Sequence, residues 1–81
     1  MPTVLRWNGY RFYFFSNEGT EPPHIHIDKG SSTVKFWLEP VAVARNIGFS
    51  QRVLGILEAK VIEERANFLE AWNEYFRRQA R

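Results

Sequence analysis

From Gln51 to about Gln79 the chain carries no proline, and Leu54, Leu57, Val61, Phe68, Trp72 and Tyr75 recur at spacings of three, four and seven. That is the period of a helix with one apolar stripe. Ser50 stands at its N-cap, where a hydroxyl accepts a bond from one of the first free amides. Such a helix takes more than a third of an 81-residue chain, and its stripe must be buried against another element. What remains is too short for a second domain. At 1.5 Å per residue the helix is ~43 Å long, whereas a six-residue strand covers ~20 Å. An overhang is therefore expected. Either the helix bends near Glu64 to Asn67, or its end presents Trp72, Tyr75 and Phe76 to a second chain, a symmetric copy or a partner protein, with Trp72 as the anchor.

The first half supplies the sheet. Thr3 to Phe15 is rich in β-branched and aromatic residues and is interrupted by Asn8-Gly9, the pair that best tolerates the positive φ values of a type I′ hairpin. Strands are predicted at about 3–7 and 10–15. "SNEGTEPP" reads as a polar loop, "HIHID" as a strand at 24–28, "KGSS" as a turn and "TVKFWL" as a strand at 33–38. After Pro40, "VAVARN" is short and ambiguous; Val41, Ala42 and Ala44 are read as a helical turn or two closing at Asn46 and Gly48. The expected fold is α+β: one domain over residues 1–81, with a four-stranded, mostly antiparallel sheet packed by the long C-terminal helix. Gly55, inside that helix, is expected to allow close packing on the sheet.

Composition narrows the function classes. With no Cys, disulfides and thiolate zinc sites are excluded, which fits a reducing compartment. No apolar run approaches the ~20 residues that span a bilayer, so the chain reads as cytoplasmic, without a membrane partner. Eleven Lys and Arg against nine acids leave a net charge of +2, which permits nucleic acid as a partner without requiring it. Arg45, Arg77, Arg78 and Arg81 read as solvated charges at helix ends, with contact to a nucleic acid or an acidic partner as the alternative.

Strand alternation separates two chemistries. Phe12, Phe14, Ile25, Ile27, Val34, Phe36 and Leu38 fall on one parity and line the helix side. The other parity carries Arg11, Tyr13, Phe15, His24, His26, Asp28, Lys35 and Trp37. The parity of the first strand stays open, because a slip of one residue exchanges Arg6 with Leu5 and Trp7. Three readings compete for the polar face. In the first it is a solvated or partner-covered surface, its aromatics packed under the stems of Lys and Arg. In the second it cleaves RNA without a metal or other cofactor. One of His24 and His26 takes the 2′-hydroxyl proton and the other protonates the leaving oxygen, while Lys35 or Arg11 stabilises negative charge and Tyr13 or Trp37 stacks a base. In the third, His24, His26 and Asp28 supply three metal ligands from one strand face.

The stretches "MPTVLRWNGYRFYFFSNEGTEPPHIHIDKG", "VKFWLEPV", "NIGFS" and "LEAWNEYF" together resemble a family of small bacterial proteins known only as a domain of unknown function. Its motif falls on Pro22, Pro23, His24, Ile25 and His26 and on Lys35, Phe36, Trp37 and Leu38; Ile27 stands where Val is frequent. The resemblance covers nearly the whole chain. It implies a toxin-like component of a toxin–antitoxin-like gene pair, whose partner is a small protein encoded nearby; RNA as a target comes instead from the second reading of the polar face, and a homodimer from the helix end. A likeness to the histidine-triad nucleotide hydrolases is set aside, because Asp28 stands where their nucleophilic histidine is required.

Overall fold

The computed structural model describes residues 3–15 and 19–79. In chain order it contains β1 (Thr3–Trp7), β2 (Tyr10–Tyr13), β3 (His24–Lys29), β4 (Ser32–Leu38), β5 (Val41–Ile47) and α1 (Gln51–Gln79). The strands form a single antiparallel meander in the order β1-β2-β3-β4-β5. The helix packs on one of its faces. Asn8 and Gly9 both have positive φ, 51° and 82°, as the tight β1–β2 hairpin requires.

The fifth strand corrects the reading of "VAVARN" as helical turns. Pro40 shares a turn with Glu39, and the chain then returns along the free edge of β4, pairing Leu38 with Val41 and Phe36 with Val43. The β-branched Val41 and Val43 favour this. The alanines carry no strand signal, and the extra residue between Val43 and Arg45, where the register shifts, breaks the alternation that would have shown it. Asn46 does not end a helix. It is in β5, and its side chain donates to the Phe49 carbonyl (2.9 Å) and accepts from the Phe49 amide (3.2 Å), shaping the turn into α1. Arg45 is likewise a strand residue rather than a helix-end charge. β2 ends two residues sooner than expected, although Phe14 beyond it is still buried.

Phe12, Ile25, Ile27, Val34, Phe36 and Leu38 from the sheet meet Leu54, Leu57, Val61 and Phe68 from α1. Each such side chain contributes ~1.5–3 kcal/mol by leaving water, so packing rather than intrinsic propensity holds the helix. Its start is capped as expected: the Val53 amide donates to Ser50 Oγ (3.2 Å). Its middle is tied down by Arg65, whose Nε donates to the Leu38 carbonyl (2.6 Å). The open parity of β1 is settled by its pairing: Leu5 lies opposite Phe12 and Arg6 opposite Arg11, placing Leu5 on the helix side and Arg6 outside. Gly55 faces solvent, with open space where a Cβ would stand, so it does not serve close packing.

The helix is unbroken to Gln79, yet its end is not left bare. Trp72 is only 4% exposed. Its ring packs against Phe14 (5.2 Å), His24 (4.7 Å) and Phe76 (4.2 Å), and Tyr75 and Phe76 are half-buried. The expected overhang takes account of the strands alone. Phe14 just beyond β2, Gly19 and the start of β3 pack against these rings, which removes the reason for assigning them to an interface. Among the described residues no helix is long and apolar enough to cross a membrane.

Candidate functional site on the outer sheet face

The meander registers turn the second parity into rows that cross the sheet. One runs Thr3, Tyr13, His26, Lys35, Arg45; the next runs Arg6, Arg11, Asp28, Thr33, Ile47. Directly opposed residues share a face, so both rows lie on the side away from α1. His24 opens a third, opposite Trp37.

The two histidines occupy different environments. His24 is 0% exposed; its Nδ1–H donates to the Pro22 carbonyl (2.9 Å), and its ring meets Trp72 and, edge-on, Trp37 (5.7 Å). As the first residue of β3 it reaches round the sheet end toward α1. His26 is 9% exposed, stacked on Tyr13 (5.4 Å) and edge-on to Phe15 (4.6 Å). The imidazoles are neighbours, 5.0 Å apart, but His26 alone borders open space. It lines a shallow depression of about 240 Å³ with Thr33, Lys35, Arg45 and Ile47.

Asp28 is occupied otherwise. Its carboxylate accepts the Tyr13 hydroxyl (3.0 Å to each oxygen) and, at Oδ1, the Thr33 hydroxyl (2.5 Å). Among the described residues no three His, Asp or Glu side chains converge as metal ligands, so the structure does not assemble the His24, His26 and Asp28 set. Burial, and then the adjacent carboxylate, raise the Tyr13 phenol above its ordinary pKa of 10.0. Tyr13 is also 5% exposed and offers no open ring to a base.

The cations cover the aromatics. Arg11 sits over the Tyr13 ring at 4.4 Å and donates from Nε to Thr3 Oγ1 (2.8 Å). Lys35 lies 4.5 Å over Trp37 and pairs with Glu21 at 2.6 Å. Trp37 remains half-buried. Arg6, Arg11 and Arg45 pair with no carboxylate among the described residues. The outer face is thus a basic surface on an aromatic underlayer. Arg6, Arg45 and Ile47 are the members that sequence reasoning missed. Treating "VAVARNI" as a strand paired to "TVKFWL" would not have sufficed, because a regular register sets Arg45 opposite Val34 on the helix side, and only the extra residue after Val43 brings it opposite Lys35.

A family model for a domain of unknown function, DUF4160, matches residues 9–73. The chain belongs to the DUF4160 family. The matched span holds β2 to β5, both histidines and most of α1, so the outer face of this DUF4160 chain lies almost wholly within it. No curated protein and no solved structure matches the chain.

Proposed function

We propose that this chain is the RNA-directed, toxin-like member of a two-protein pair, and that it holds single-stranded RNA on the outer face of its sheet. The observation that carries the reading is the row His26, Lys35, Arg45, which places an imidazole and two cations on adjoining strands around one depression. Phosphate contacts supply most of the affinity for nucleic acid, and Arg45, exposed and without a carboxylate partner among the described residues, is the strongest single candidate. Trp37, half-buried beneath Lys35, is the remaining aromatic for a base. The small protein encoded nearby is the expected partner.

Cleavage is a second step. It is favoured by His26 at the depression and disfavoured by the burial of His24, which keeps the second proton carrier from a substrate. Fluorescence anisotropy with labelled single-stranded RNA tests binding, and growth arrest on expression tests toxicity. The expected result is RNA binding that weakens in Arg45→Ala and Lys35→Ala. Growth arrest lost in a folded His26→Ala protein would extend the reading to catalysis. No RNA binding at low salt, with the neighbouring protein bound on the outer face instead, would leave a non-catalytic interaction module.

A further inference from the structure

The opposite flank of the molecule has the reverse chemistry. Between β1 and the C-terminal half of α1 runs a groove of about 510 Å³, with Val4, Leu5 and Ala71 in its apolar part and Glu64, Glu70 and Glu74 on its rim. Two of these acids are answered within the chain, Glu64 by Lys60 (3.6 Å) and Glu74 by Arg77. Glu70 is exposed and forms no ion pair among the described residues. Among the described residues β1 is also an edge strand, hydrogen-bonded only to β2, so none of them covers the backbone groups along its outer side, which can take another strand. The register shift at Val4 gives it no partner in β2, and Val4 and Leu5 both line the groove.

We propose that this groove binds a basic, amphipathic, extended segment of a partner protein, which adds along β1. Every second side chain of that segment turns into the groove; the apolar ones among these sit on Val4, Leu5 and Ala71, and the cationic ones face the glutamates. A phosphate backbone does not fit, because the rim repels it. A second copy of this chain fits poorly as well, since pairing β1 with its own copy would bring two glutamate rims together. The proposal uses the flank away from the RNA face and stands or falls independently of it.

A short peptide with valine and lysine taking turns at every second, groove-facing position and threonine between them, with a glutamate-for-lysine version as control, is titrated into isotope-labelled protein and followed by the amide resonances. The expected result is movement at Val4, Leu5, Glu70 and Ala71 with the basic peptide alone. Binding should weaken on the order of tenfold in Glu70→Lys, through lost attraction and new repulsion, while the amide resonances of that variant away from the groove stay where the parent's are. Equal binding of both peptides, shifts confined to the outer face, unchanged affinity in Glu70→Lys, or no binding at low salt would each overturn the proposal.

Discussion

The His24 ring lies 4.7 Å from the Trp72 ring, joining the first residue of β3 to the last covered turn of α1. The contact makes the histidine structural, because it fills the end of the core while its Nδ1–H satisfies the Pro22 carbonyl. Trp72→Ala should cost ~3–5 kcal/mol, as large-to-small core changes do. His24→Ala should cost ~1–3 kcal/mol through an unpaired carbonyl and lost packing. The double variant should be less destabilised than the sum by ~0.5–1.5 kcal/mol. Urea unfolding measures all three. An unchanged midpoint for His24→Ala would remove the structural role.

The Tyr13 hydroxyl bound to Asp28 sets a limit at high pH. Its phenol has a higher pKa folded than unfolded, so the folded state holds this proton more tightly. That contribution is fully present below the unfolded value of about 10. It is lost as pH rises through the folded value, because the phenolate must then form beside a carboxylate inside the fold. Stability should therefore decline above about pH 10 more steeply in the parent than in Tyr13→Phe. Thermal unfolding across that range checks it; parallel curves for the two proteins would contradict it.

Where a local signal agreed with the tertiary outcome, the sequence was readable. Asn8-Gly9, the apolar parity of Phe12, Ile25, Ile27, Val34 and Phe36, and the Ser50 cap each have one favourable solution, and the structure adopts it. β5 was missed because its existence depends on the free edge of β4 rather than on its own alanines. The site was half legible for a related reason. Parity placed His26, Lys35 and Arg11 on one face, but it carried no information on depth. Tyr13 and His24 share that parity, yet they are sealed by Arg11, Phe15, Trp37 and Trp72, contacts made along β2, across from β4, from α1 and from a residue beyond β2's end, which alternation does not describe.

On the outer face, Arg45 and Lys35 stand directly opposite each other across β4 and β5, but Lys35 is already held by Glu21. Arg45→Ala should therefore weaken RNA binding more than Lys35→Ala. Removing one phosphate contact should lower the slope of log affinity against log salt by ~0.7 for a single strand. Anisotropy titrations at several salt concentrations separate the two variants. Identical slopes for the parent and Arg45→Ala would show that this arginine touches no phosphate.

Two glycines should respond to alanine in opposite directions. A Cβ on Gly55 meets nothing within 4 Å, and the residue is exposed in a regular helix, so Gly55→Ala should gain ~1 kcal/mol from helix propensity. A Cβ on Gly19 would come within 2.6 Å of Phe76 Cδ1, on a ring held by Trp72 at 4.2 Å and Tyr75 at 5.0 Å. That ring has little room to retreat without opening the cover over Trp72, so Gly19→Ala should lose ~1–3 kcal/mol as an overpacked site does. Thermal midpoints should therefore rise for Gly55→Ala and fall for Gly19→Ala. Tryptophan fluorescence should shift to the red at room temperature in the Gly19 variant alone, because water then reaches Trp72. A Gly19→Ala protein with the parent's midpoint and spectrum would mean that the 19–23 segment does not press on the helix end, and that the burial of Trp72 rests on Phe14 and His24.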